Sequence, residues 1–191
     1  MVPEQQLTNA DKKYLLSLAR QAIESQLKNL PLPKVDENEL SPILREEGAS
    51  FVTLTSNGYL RGCIGALEPY QSLATDVIEH AIAAAFQDYR FPPVQIKEFP
   101  DIEIEISYLT RPIELIYSDP CDLPGLLRPG IDGVVLKDGI RRSTFLPQVW
   151  EKIPEPVEFL EHLCMKMGAQ PDLWRRKKLQ VLTYQVEEFH E

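Results

Sequence analysis

Residues 51–65 read Phe51-Val-Thr-Leu-Thr-Ser-Asn-Gly-Tyr-Leu-Arg-Gly-Cys-Ile-Gly65, and how this stretch pairs with itself decides the fold. Phe51 to Thr55 is β-rich, Ser56-Asn57-Gly58 is turn chemistry, and Tyr59 to Ile64 returns, which predicts an antiparallel hairpin. A three-residue loop pairs Leu54 with Leu60, Thr53 with Arg61 and Phe51 with Cys63. Side chains alternate along a strand, so Val52, Leu54, Leu60 and Ile64 then share the core side. Thr53, Arg61 and Cys63 share the other.

The neighbouring segments supply what such a hairpin packs against. Asp101 to Tyr108 alternates, with Ile102, Ile104, Ile106 and Tyr108 on one side and Asp101, Glu103, Glu105 and Ser107 on the other. That is a half-buried antiparallel strand. Thr8 or Asn9 caps a helix over 9–28 whose apolar positions include Leu15, Leu16, Ala19, Ala22, Ile23 and Leu27. Ser72 to Gln87 reads as a second helix, thin because of its alanines, stopped at Phe91-Pro92-Pro93. Pro112 changes the pattern. Beyond it come a short strand near 113–117, a short helix near 121–127, a hairpin from Gly133 to Phe145, and helices near 147–152, 156–168 and 171–176. Leu179 to Phe189 closes the chain as one strand. The prediction is an α+β protein, with a larger lobe of residues 1–110 plus 177–191 and a smaller inserted lobe of 111–176.

Composition narrows the function classes. The chain has 191 residues, a net charge of −9, 43% hydrophobic and 26% charged residues, ordinary values for a soluble globular protein. The acidic balance argues against nucleic acid, whose phosphates call for surplus Lys and Arg. The longest apolar run, Ala81–Phe86, is far short of the roughly 20 residues of a membrane span. The first residues lack a basic and an apolar signal region. Cys63, Cys121 and Cys164 are few and widely spaced, which suits free thiols in a reducing cytoplasm.

The chemically unusual segment is Leu60-Arg61-Gly62-Cys63-Ile64-Gly65. Glycines in a strand mark a bulge, a bend or a close approach by ligand or backbone. A guanidinium beside a thiol favours the thiolate, the form a nucleophile needs. The plainer reading is a packing cysteine, since free cysteine is among the most buried residue types. Asp88 opposes the dipole of the helix it follows, so it needs a partner, Arg90 or Arg61. The pair is either a local brace or a charged wall. Glu103 and Glu105 form an acidic column that is either a solvated face or a source of a general base. Gln148 and Trp150 open a short helix where an amphipathic side chain either meets a partner or joins the core. Glu158 and His162 supply two metal ligands at most, and no metal site is expected. No His is placed in sequence to activate Cys63; His80 reaches it only through tertiary contact. Phosphate-loop, dinucleotide and serine-elbow motifs are not seen.

Leu60 to Gly65 resembles the signature hexapeptide of the AMMECR family, also called AmmeMemoRadiSam system protein A. Phe51-Val-Thr-Leu54, Asp88-Tyr-Arg-Phe-Pro-Pro93, Gly130-Ile-Asp-Gly133, Thr144-Phe-Leu-Pro-Gln-Val149 and Phe159-Leu-Glu-His-Leu-Cys164 extend the resemblance over nearly the whole chain. It implies two unequal lobes, each an antiparallel sheet with helices, and a cleft between them faced by the signature segment. It also implies association with a Memo-like protein and a radical SAM protein. The resemblance implies no reaction, and the residues fit two functions. One is an enzyme or accessory subunit, with Cys63 as thiolate, Arg61 as anion clamp and Glu103 as a further catalytic group. Leu60, Gly62, Ile64, Gly65, Asp88, Arg90, Phe91 and Gln148 would line its site. The other is a non-catalytic adaptor that uses the same cleft to bind protein.

Overall fold

In the computed structural model, which describes residues 6–36 and 38–191, Thr8 caps α1 (Asn9–Leu27) through a reciprocal box with Asp11. The Asp11 amide donates to Thr8 Oγ1 at 3.1 Å and the Thr8 amide to Asp11 Oδ2 at 2.9 Å, which satisfies two donors a helix start leaves open. A connection leads to α2 (Pro42–Arg45), then β1 (Glu47–Ser56), β2 (Tyr59–Gly65), β3 (Gln71–Ser72) and α3 (Leu73–Phe86). A 3-10 turn precedes β4 (Ile102–Leu109). Strand order is β2-β1-β4-β9, with β3 pairing β1 and β9 spanning Val186–His190. β1 lies in register with β4 at Val52↔Ile106 and Leu54↔Ile104. These residues, with Ile102, face α1 and α3 across one core that includes Leu15, Ile23, Leu73 and Val77. The predicted alternation of 101–108 is therefore the inner face of this sheet.

A second sheet has the order β5-β8-β6-β7, formed by β5 (Ile113–Glu114), β6 (Gly133–Asp138), β7 (Arg141–Phe145) and β8 (Gln180–Tyr184). The helices α4 (Leu123–Leu126), α5 (Pro156–Lys166) and α6 (Leu173–Arg176) belong with it. Its core holds Val134, Leu136, Phe159, Leu163 and Val181. Trp150 is buried there, its ring stacked on Phe159 at 3.6 Å between centroids and its Nε1 donating to the Asp132 carbonyl at 2.7 Å. Trp150 is thus a core residue. Helices combined with two antiparallel sheets make the chain α+β.

By packing, the chain divides into one unit up to Leu109 with Glu187–Glu191, and another of Thr110–Val186. The expected return of residues 177–186 to the first lobe is corrected. The segment is two strands, not one. β8 pairs with β6 at Leu136↔Val181 and Val134↔Thr183, which buries Val181 in the second core, whereas Phe189 joins the first. The Thr110 side chain and backbone both bond Gln185 where the strands part. Among the described residues, no helix is long and apolar enough to cross a membrane.

Candidate functional site

The hairpin turn is tighter than the sequence suggests. Asn57 and Gly58 both take positive φ, 52° and 78°, a two-residue turn whose twist matches that of the strands. Ser56 then pairs with Tyr59 and Thr55 with Leu60. One residue on, the register slips, so that Leu54 meets Gly62 and Thr53 meets Cys63. Arg61 is the extra residue of a bulge. Three expectations change in consequence. Leu60 moves from the core side to the outer side and is 43% exposed. Cys63 faces Thr53, not Phe51. Arg61 leaves the strand pairing and no longer stands beside Thr53.

The close approach of α3 explains the glycine at position 62. A Cβ there would lie 2.1 Å from the Ala84 carbonyl oxygen of α3. Gly65 is equally constrained, with a Cβ falling 2.4 Å from both the Phe51 ring and the Ser50 carbonyl. The two glycines therefore admit backbone and side chain of the protein itself. Ile64 is half-buried against the same core.

Cys63 is held from two sides. Its amide donates to Asp88 Oδ2 at 2.9 Å, and its carbonyl accepts from Arg90 Nη2 at 3.1 Å. Asp88 is 4% exposed and also accepts from Arg90 Nε at 2.9 Å and Nη2 at 2.6 Å. Those guanidinium bonds, helped by the Cys63 amide, outweigh burial and hold the Asp88 carboxyl far below the usual carboxylate range. The same bonds to Asp88 push Arg90 further up, and Cys63 lies close enough to add to that field. The sulfur itself accepts from Thr53 Oγ1 at 3.3 Å. Cys63 is half-buried, Cys121 exposed and Cys164 buried, all as free thiols.

Arg61 has another partner. Its Nε and Nη2 donate to Glu98 at 3.0 and 2.8 Å, which holds the Glu98 carboxyl below its usual range despite partial burial. Its Nη1 is buried and has no partner among the described residues. The guanidinium next to Cys63 is thus Arg90, where the sequence suggested Arg61. Glu98 carries no signal in the sequence, because nothing local connects it to a residue 37 positions away.

The acidic column divides. Glu105 pairs with Thr53, which pairs with Cys63, so these three share one cross-strand row. Glu103 pairs with Thr55, in the row of Leu60, and is not brought to Cys63. Phe91 is half-buried under the Arg90 guanidinium, 5.5 Å from its centroid. Gln148 lies in the second unit, exposed on a short 3-10 helix from Pro147 to Glu151. His80 is buried with its Nδ1 3.1 Å from Asp76 Oδ2, which also accepts from Ser50 at 2.6 Å. Ser50 has the inner parity of Val52 and Leu54, whereas Cys63 has that of Thr53, so His80 and the thiol are on opposite faces of the sheet.

Comparison with known proteins gives a consistent picture. The sequence model of the family described as AMMECR1 matches residues 16–189. A protein of Methanothermobacter thermautotrophicus is 42% identical over 191 residues, 97% of this chain and 96% of its own length. One from Methanosarcina mazei is 40% identical over 171 residues, covering 88% of this chain and 85% of the relative. The crystal structure of the uncharacterized protein PH0010 from Pyrococcus horikoshii superposes with a TM-score of 0.76 at 34% identity, over 97% of this chain and 93% of that one.

Proposed function

The chain belongs to the AMMECR1 family, and from that premise we propose that it is a ligand-binding accessory subunit whose site is the outer face of β1 and β2 around Cys63. The observation that supports this reading is the setting of Cys63. Its backbone is fixed at both polar groups by Asp88 and Arg90. Its half-buried thiol lies on the face opposite the core that α1 and α3 share with the sheet. Leu60 supplies exposed apolar surface beside it, and the partly exposed Arg90 guanidinium supplies positive charge. Such a face suits a ligand that offers an acceptor or anionic group next to an apolar one. The ligand is a substrate, or a segment of a Memo-like or radical SAM protein acting with this chain in the cytoplasm.

Nucleophilic or redox use of Cys63 is the second reading. It is favoured by the half-buried free thiol, with the Thr53 hydroxyl on its sulfur and the Arg90 guanidinium on its carbonyl. It is weakened by the position of His80 on the other face.

Alkylation of Cys63 against pH, followed by peptide mass spectrometry, separates the two. Exposed Cys121 and buried Cys164, whose thiol burial pushes up, serve as fast and slow controls. A Cys63 midpoint near that of an ordinary thiol, about 8.5, supports binding; one near 6–7 moves the conclusion to thiolate chemistry. Co-purification with the Memo-like and radical SAM proteins completes the test. Leu60→Asp is expected to lose them and Cys63→Ser to keep them; equal recovery by both variants overturns the proposal.

A further inference from the structure

We infer that Asp88 and Arg90 close the open edge of β2 and so position the Cys63 thiol, with the Asp88 carboxylate as the central group. The inference deepens the reading that the Cys63 face binds a ligand, and it rests on that reading for its functional meaning.

β2 is an edge strand, last in the order β2-β1-β4-β9. An edge presents unpaired N–H and C=O groups that ordinarily turn to water or recruit another strand. At Cys63 both groups are occupied by side chains. The Asp88 carboxylate takes the place of a neighbouring strand's carbonyl at 2.9 Å, and the Arg90 guanidinium takes the place of its amide at 3.1 Å. The two side chains are themselves joined by bonds of 2.6 and 2.9 Å, and the Arg90 amide adds another to Asp88 at 3.2 Å. A carboxylate this buried is stable only with such a full set of donors.

The loop that carries the clamp is itself tied down. The Phe91 amide bonds the Asp88 carbonyl, and the Val94 amide reaches back to the Ala85 carbonyl of α3. Glu98, further along, holds Arg61 at the bulge. Opposite the clamp, Gly62 already presses on Ala84. Cys63 therefore has no room to shift toward α3 and no free backbone group by which to drift. The clamp also bars strand addition at this point, so a ligand approaches the thiol from the outer face of the sheet and not as a further strand.

The test uses the full chain. Amide exchange measured by NMR reads the clamp directly. The Cys63 amide is expected to exchange at least about tenfold faster in Asp88→Ala than in the wild type, the loss of one charge-assisted hydrogen bond, while the amides of β1 stay unchanged. Asp88→Asn keeps an acceptor of the same shape and falls between, and it carries the test if the alanine variant does not fold. The alkylation rate of Cys63 at one pH, taken against Cys121 and Cys164 in the same sample, then separates positioning from simple bracing. Asp88→Ala and Arg90→Gln are expected to change the Cys63 rate while those of Cys121 and Cys164 stay as in the wild type; a purely structural pair would move all three through global opening. Unchanged Cys63 exchange in folded Asp88 variants, or an unchanged Cys63 alkylation rate, overturns the inference. Failure of the binding reading looks different: Leu60→Asp keeps its partners while the exchange and alkylation results stand.

Discussion

Gly62→Ala is the sharpest perturbation of the site, because the structure fixes what the added methyl meets. The new Cβ would lie 2.1 Å from the Ala84 carbonyl oxygen and 3.1 Å from its carbonyl carbon. Contacts under 3.0 Å are essentially never seen for Cβ atoms, so β2 and α3 must separate by about 1 Å at a point where the interior is close-packed. The obstacle is backbone, which no rotamer change removes. Overpacking of this kind costs about 1–3 kcal/mol, and the rigid neighbour places Gly62→Ala at the upper end, about 3 kcal/mol. For a chain of this size that lowers the melting temperature by about 6–12 °C. Thermal and urea unfolding followed by circular dichroism read the change, and the urea slope checks that the unfolded reference is the same. Ala84→Gly supplies the control. It removes the Ala84 methyl but leaves the carbonyl in place, so the double variant is expected to be no more stable than Gly62→Ala. A loss below about 1 kcal/mol, or rescue by Ala84→Gly, would refute the close-approach account and reopen a ligand role for the glycine.

Other consequences are equally direct. Asp88 has its carboxyl depressed by Arg90 and the Cys63 amide; the unfolded chain then binds more protons than the native one below about pH 4. The stability this group contributes is therefore complete above that pH and falls as acid is added. Asp88→Asn is expected to flatten the acid limb of a stability–pH curve; an unchanged slope contradicts the assignment. Ser50→Ala removes the 2.6 Å donor from buried Asp76 and is expected to cost about 1–3 kcal/mol by urea unfolding, with a loss under about 0.5 kcal/mol counting against it. Trp150→Ala deletes a ring stacked at 3.6 Å on Phe159 and is expected to destabilise by about 3–5 kcal/mol; near-wild-type unfolding would show that the stack contributes little.

The sequence by itself determined much of this protein. The alternation of Ile102, Ile104 and Ile106 marks an inner sheet face, and the alanine-rich stripe of α3 marks a helix that packs closely on it. Ser56-Asn57-Gly58 marks the hairpin. These signals are local: the periods of helix and strand, and the demand for positive φ, are written in neighbouring residues. The resemblance of Leu60–Gly65 and its companion blocks pointed to the segment around which the candidate site is proposed. Only the tertiary structure decided the register within it. A two-residue turn in place of three moves Leu60 outward, and the bulged Arg61, sent to Glu98, returns Cys63 and Ile64 to their expected faces with partners two residues along, so that Cys63 meets Thr53 instead of Phe51. Nor was it legible that residues 180–184 pair with β6 while 186–190 return to the first sheet, since the run is uniformly strand-like. The clamp on Cys63 joins residues 25 positions apart in the chain. Such a contact depends on the path α3 takes back across the sheet, a property of packing that no short window of sequence carries.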